Sequence, residues 1–404
     1  MTAHRAPRTA LLATLSLGAL TVLAVPEAAT AAATDPWVRA WGTNAVGQLG
    51  NATVLNQSTP GDVVGVARTD VRTLSGGGHD STAFAVALLS DGTVKSWGAN
   101  GSGQLGNGTT TGQPVPTTVA GLSGVSAVDA GSDHVLAVRK GRIYAWGSSA
   151  KGQLGNGLTE DDTKKTPVLV QALDDVKDVG AGCQYSVALR KDGTVWTWGD
   201  GSNGRLGTGP SAGNATVNES RNTPQQIKNL TDIDAISVGC NHVLALTVDG
   251  KVKSWGEGRN GQLGNDTRVD SLSPVDVKYL DSGVTKISAG PYHDFAILED
   301  GTVKGWGWNG FGQLGDGTVT ERTTPVPIDN LKGTKSIVGG ADFTVAAQPD
   351  GSVLTLGNND VFQLGDGTNI PTTTRDHKPV TTLPTGSGIT RVATTTTGRA
   401  AFAY

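Results

Sequence analysis

A ten-residue phrase built from Trp-Gly and Gly-Gln-Leu-Gly recurs seven times in this 404-residue chain, at intervals of 49 to 57 residues. It starts at Trp41, Trp97, Trp146, Trp198, Trp255 and Trp306, and a degenerate seventh copy starts at Leu356. A period of this size means that one small unit is copied around a ring or along a rod. It also means that most residues that look special here are special seven times over, for structural reasons.

Each unit has two halves. The first reads like Ala130-Gly131-Ser132-Asp133-His134-Val135-Leu136-Ala137-Val138, and the second like Asp192-Gly193-Thr194-Val195-Trp196-Thr197-Trp198. Two apolar runs around an Asp-Gly or Lys-Gly turn predict a β-hairpin. The Gly-Gln-Leu-Gly loop and a Thr-Pro-Val segment (Thr166-Pro167-Val168, Thr324-Pro325-Val326) then leave room for shorter outer strands. Four short strands in roughly 50 residues make one propeller blade, so the chain reads as an all-β, seven-bladed β-propeller. The 58 glycines are about twice the usual share of ~7%, and most fall at fixed repeat positions where a bend needs positive φ or close backbone approach. The six repeat tryptophans are the predicted packing units between blades, each burying on the order of 150–250 Å².

The final unit ends at Ala400-Ala401-Phe402-Ala403-Tyr404, before its own Trp-Gly strand, and Trp37-Val38-Arg39-Ala40-Trp41-Gly42 is the strand it lacks. The N-terminal strand is therefore expected to complete the last blade, closing the ring and removing a free sheet edge. These residues resemble the regulator of chromosome condensation repeat family, over about residues 37–404. The resemblance implies the seven-bladed fold. It implies little about function, because propellers are general scaffolds. Copy seven departs most, with Leu356 for Trp and Phe362 for the first Gly of its loop.

Residues 1–31 read as a secretory signal peptide: Arg5 and Arg8, an apolar stretch from Ala10 to Val25, and Ala29-Thr30-Ala31 as the cleavage signal. Residues 32–36 read as a short linker, and the mature chain as an exported, soluble monomer. Removing Arg5, Arg8 and Glu27 leaves 30 basic against 35 acidic residues, so the mature charge is −5. A mildly acidic chain with no basic block is a poor nucleic-acid or anionic-membrane binder. Cys183 and Cys240 occupy the same repeat position in consecutive units, and export favours their oxidation to a disulfide.

No catalytic set is apparent, and no cofactor or metal site is expected. His79, His134, His242 and His293 are assigned to one repeat slot that holds Tyr185 and Phe343 in other units, which marks a packing or hydrogen-bonding position. His377 stands alone in a late polar loop. The Asp-Gly pairs lack the further acidic ligands of a calcium loop, and Asp161-Asp162 and Asp174-Asp175 read as solvated loop charges.

The hairpin geometry separates two faces. The Asp-Gly turns lie at one end, and the Ala-Gly-x-x-His entry and the Trp-Gly exit lie together at the other. That open-end face carries Asp133, Gln184, Asn241 and Asp342 on its inner side, and Tyr292, Trp308 and Phe311 in one unit. Non-repeated aromatics on a loop are candidate interface anchors. The expected function is a secreted, non-enzymatic binding scaffold for an extracellular protein. Alternatives are an inhibitor of a secreted enzyme such as a β-lactamase, a role found among exported bacterial propellers of the resembled family, and a cell-wall glycan binder using the polar ring. Guanine-nucleotide exchange, the family's best-known activity, conflicts with export.

Overall fold

The computed structural model describes residues 37–158, 163–210, 219–368, 374–379, 383 and 386–404, with backbone alone for 374–379. The expected leader at 1–31, the linker at 32–36 and Asp161-Asp162 lie outside the described residues.

The described strands form seven four-stranded antiparallel sheets. Blade one runs Val71–Gly77, Phe84–Leu89, Val94–Gly98 and Gln113–Thr118, from the channel outward. Blades two to six repeat this order over residues 125–169, 176–226, 233–276, 284–327 and 336–379. Blade seven takes its inner strands, Val392–Thr394 and Ala400–Ala403, from the end of the chain and its outer two, Trp37–Gly42 and Gln57–Ala67, from the beginning. Arg39 faces Ala403 across this seam, and Gly42 faces Ala400. The N-terminal part thus supplies two strands of the closing blade. His377, read as a loop residue, instead lies in the outer strand Thr374–Pro379; a blade's outer edge can carry polar residues because only its backbone must pair.

The two halves of the repeated phrase meet between blades. The indole Nε1–H of each repeat tryptophan donates to a backbone carbonyl in the loop of the preceding blade: Trp97 to Gln48, Trp146 to Gln104, Trp198 to Gln153, Trp255 to Arg205, Trp306 to Gln262 and Trp41 to Gln363, at 2.8 to 3.1 Å. All six rings are fully buried. The acceptor is backbone, so Arg205 replaces glutamine there without loss of the bond. The glutamine side chain has a separate task. Its Oε1 accepts the N–H two residues earlier, as Gln104 does from Ser102 at 2.8 Å and Gln313 from Phe311 at 2.9 Å, and this folds the loop on itself. The last glycine of the loop lies against the indole: a Cβ on Gly155 would stand 2.7 Å from Trp198 Nε1. In blade six, where Leu356 replaces Trp, the Thr344 hydroxyl donates to the Gln313 carbonyl, at 2.8 Å. Phe362 keeps the positive φ of the glycine it replaces, at 70°.

The glycine after each tryptophan also has a specific cause. It ends the third strand at φ of 95° to 105°. A Cβ there would lie 2.1 to 2.7 Å from the carbonyl of the residue that precedes the facing strand, such as Asp133 or Tyr292. Nearer the axis, the inner strands are tied by short polar side chains. Ser75 Oγ donates to Asp129 at 2.6 Å, Asp129 accepts the Ala181 N–H at 2.8 Å, and Ser237 Oγ accepts the Ala289 N–H at 2.8 Å. The seven inner strands line an axial cavity of about 300 Å³.

Cys183 and Cys240 form a disulfide between blades three and four, with Cα atoms 4.7 Å apart. A backbone bond from Cys183 N–H to Cys240 carbonyl, at 3.0 Å, runs beside it.

Two stability outcomes follow from these contacts. Trp198→Ala removes a fully buried ring and its bond to Gln153, and is expected to cost about 3–5 kcal/mol in urea unfolding. Reduction of the disulfide, which spans a sequence separation of 57, is expected to cost about 4 kcal/mol by chain entropy; the check is unfolding with and without reductant, beside the Cys183→Ser/Cys240→Ser variant.

Candidate functional site at the open-end loops

The strand pairing places the entry and exit loops together. The slot residue of each second strand faces the glycine after the repeat Trp or Leu, as His134 faces Gly147 and His293 faces Gly307. A backbone bond then joins the two loops in every blade, including Ser148 N–H to Asp133 carbonyl and Trp308 N–H to Tyr292 carbonyl, both at 2.9 Å.

Blade five concentrates aromatic surface there. Tyr292 and Trp308 meet edge to face with ring centres 6.0 Å apart, and Trp308 meets Phe311 in the same way at 5.4 Å. All three are half-buried, so the ladder packs along its own length and keeps part of each ring in solvent. Asn309 sets the loop. Its Nδ2 donates to Asp316 and to the carbonyls of Thr318 and Thr320, and its Oδ1 accepts the Leu314 N–H. Asn100 and Asn44 do the same in other blades, so this position is part of the scaffold and its neighbours Trp308 and Phe311 carry what is particular to blade five. Gly310 lies under the indole: a Cβ there would meet Trp308 Nε1 at 3.0 Å.

The polar residues of the same face separate into two groups. Asn241 is half-buried beside the ladder and donates from Nδ2 to Glu257 at 3.0 Å. Burial, with a smaller contribution from the Glu257 carboxylate, raises the Tyr292 phenol above its ordinary pKa, so it stays a hydrogen-bond donor. Gln184 and Asp133 are half-buried at equivalent positions in blades three and two, and Asp133 accepts from Gln153 at 3.4 Å. Asp342 does not belong to the exposed ring. It is only 3% exposed, and its oxygens receive Arg399, Asn358 and Gln363. It serves the seam between blades six and seven, which removes it from a partner-facing surface.

The histidine slot is a packing and hydrogen-bonding position, with one correction. In blade one Phe84 fills it, facing Gly98. His79 lies in a longer entry loop, in front of a short 3-10 turn at Asp80–Thr82, and is exposed. Matching on the histidine alone missed these extra loop residues. The true slot residues reach into the next blade. His134 Nε2 meets Ser186 Oγ at 2.9 Å, His293 Nε2 meets Thr344 Oγ1 at 2.8 Å, and Tyr185 donates to the His242 carbonyl at 2.7 Å. Ser186 and Thr344 already donate to the carbonyls of Gln153 and Gln313, so they accept from these imidazoles. His242 instead meets the Asp294 carboxylate, with both side chains fully buried. Sequence reasoning missed Ser186, Asp294 and Thr344, although each is a polar residue immediately after the slot in an otherwise apolar strand.

Among the described residues, no cluster of His, Cys, Asp or Glu is arranged to hold a metal ion. Nor is any helix among them long and apolar enough to cross a membrane, which says nothing of β-barrels.

Residues 171–403 match the RCC1-like domain, and residues 91–138 and 140–189 match the Regulator of chromosome condensation (RCC1) repeat. The chain is 34% identical to the human E3 ubiquitin-protein ligase HERC2 over 313 residues, which are 74% of this chain and 6% of that protein. It is 32% identical to the Ultraviolet-B receptor UVR8 of Arabidopsis thaliana over 271 residues, 65% of this chain and 60% of that one. In structure it is similar to Prp20p from Saccharomyces cerevisiae, with a TM-score of 0.75 and 20% identity, covering 92% of this chain and 91% of that one. Human WBSCR16 gives a TM-score of 0.74 at 20% identity, covering 91% and 98%.

The slot gives a pH outcome. Burial, aided by nearby His242, lowers the His293 pKa from its ordinary 6.5 to about 3. Between these values the unfolded chain binds a proton that the folded chain does not, so His293 takes stability away as pH falls through that window, by about 1.4 kcal/mol per unit. Unfolding free energies measured from pH 7 to 4 for wild type and His293→Phe, the residue type found at Phe343, are expected to diverge, with the variant less acid-sensitive by about one proton.

Proposed function

The chain belongs to the RCC1-like domain family, and on that premise we propose that it is an exported, non-enzymatic binding propeller that recognises an extracellular protein through the open-end loops of blade five. Fold membership alone does not supply this reading. Relatives named as a ubiquitin ligase and a light receptor share the repeat, so function resides in what each chain displays on it.

The observation that carries the reading is the Tyr292–Trp308–Phe311 ladder, which stands half-exposed at positions where no other blade holds an aromatic residue. Partly exposed Trp and Tyr on a rigid loop are favourable anchors, since they bury large area with few rotatable bonds. Asn241 and Glu257 give it a polar margin on the blade-four side. Export is supported by Arg5, Arg8, the apolar run at 10–25 and Ala29-Thr30-Ala31. The Cys183–Cys240 disulfide agrees with an oxidising compartment. A secreted enzyme is one partner class within this reading. The glycan alternative is weaker, because Asp342 is withdrawn from the polar ring.

The test is affinity capture from the secreted and cell-wall fractions of the producing organism. Wild type is run beside Tyr292→Ala/Trp308→Ala/Phe311→Ala, with circular dichroism confirming that both are folded. A protein held by wild type and released by the triple variant is expected, since a true anchor contributes about 2 kcal/mol or more. Equal capture by both proteins would place any binding elsewhere and sink the assignment of this face.

A further inference from the structure

The opposite face carries the acidic Asp-Gly turns at its rim, but nearer the axis its pockets are lined by charge of one sign. Two pockets of about 640 and 680 Å³ adjoin there, sharing Thr390, Arg391 and Tyr404 as walls. The first is also lined by Arg68, Arg72, Thr69 and Thr73, and the second by Lys286, Lys335, Ser336 and Ser288. Five cationic side chains from blades five, six, seven and one, with the segment that leads into blade one, thus line them, and no Asp or Glu side chain does. This occurs in a chain with formal net charge −4.

The cations are held in place without being neutralised. Arg391 Nη1 donates to the Arg72 carbonyl, Arg68 Nη1 to the Ser387 carbonyl, and Lys286 Nζ to the Lys335 carbonyl at 2.7 Å. These bonds go to neutral oxygens. Among the described residues, no ion pair joins any of the five to a carboxylate, whereas Arg39, Arg142, Lys177 and Lys253 on other parts of the ring each have one. Burial, with a smaller contribution from the neighbouring Arg39 cation, also lowers the Arg68 pKa. Arginine forks match tetrahedral oxyanions through paired N–H groups, and flanking threonine and serine hydroxyls can supply further donors. Two pockets side by side suit two such groups on one ligand.

We propose that these pockets together bind a ligand bearing at least two phosphate groups, either a free short polyphosphate or phosphates linked along a polymer. The site is independent of the aromatic ladder and of the protein-binding role given to it.

The test is calorimetric titration of the whole chain at low and at physiological salt. The probes are tripolyphosphate as the free form, a short glycerol-phosphate oligomer as the linked form, and hexaglutamate as an acidic peptide. Arg72→Glu/Lys335→Glu places one reversal in each pocket at exposed side chains, and Lys228→Glu/Lys278→Glu changes net charge equally at exposed positions outside both. Wild type and the control pair are expected to bind at least one phosphate probe with one saturable site. The pocket variant is expected to bind it at least about tenfold more weakly, while all three proteins keep the same melting temperature within 2–3 °C. If both variants lose affinity equally, only general charge attraction is present and the proposal fails. It fails also if no phosphate probe saturates, or if hexaglutamate binds as tightly with the same dependence on the variants. Should the pocket variant prove unstable, Arg72→Ala and Lys335→Ala singly must each weaken binding, or the site is wrong.

Discussion

The ring depends on a bond that no single blade can make for itself. An indole N–H from one blade meets a loop carbonyl of the blade before it, in six of the seven junctions. Both partners are buried, so losing either would leave a polar group stranded without water. The glycine that ends each loop lets the ring lie flat against backbone, and the glutamine side chain shapes the loop that presents the carbonyl. Trp-Gly and Gly-Gln-Leu-Gly are therefore not two motifs within a unit. They are two halves of one contact, offset by a blade. At the seventh junction Leu356 stands in place of the indole, and the carbonyl keeps the Thr344 hydroxyl as its donor, a bond that Ser186 makes beside the indole in blade three.

A scaffold built this way leaves its loop ends free to differ, and they differ most where the frame is most regular. Asn309 ties its loop as Asn100 and Asn44 tie theirs, yet its neighbours are Trp308 and Phe311 instead of Ala99 and Ser102. The same separation holds at the other end. Near the beginning of the inner strands, blades two, four and five carry Ser126, Asp234 and Thr285, whereas blades one, six and seven carry Arg72, Lys335 and Arg391. One face thus presents aromatic surface and the other, inside its rim of Asp-Gly turns, a cluster of positive charge, on a single compact unit.

The blade count, the order of strands, the closing blade, the disulfide and the shared end of the three aromatics were legible in the sequence, because each follows from the repeat and its phase. What escaped was set by contacts that the repeat does not encode. The extra entry-loop residues of blade one put Phe84, not His79, in the slot, and the nearby histidine offered a false match. Asp342 looked like its counterpart Asp133, but Arg399 from the closing blade captures it. Asp294 is invisible as a partner until blades four and five are placed side by side. The cationic pockets draw on positions from 68 to 391, so no local run of charge announced them.

The seam in blade seven also orders events in time. Arg39 and Ala403 are neighbours in space and nearly the whole chain apart in sequence, so the loop they close is the longest that a strand pair closes among the described residues. Blades one to six are each local and can form from their own residues. The seventh has to wait for the last strand, and until then the first two strands have no inner partners. Completion of the circle therefore reports that the chain has been made through to Ala403. A copy cut short before Ala400 would be an open arc with exposed strand edges, the kind of surface that quality-control machinery recognises and that aggregation exploits.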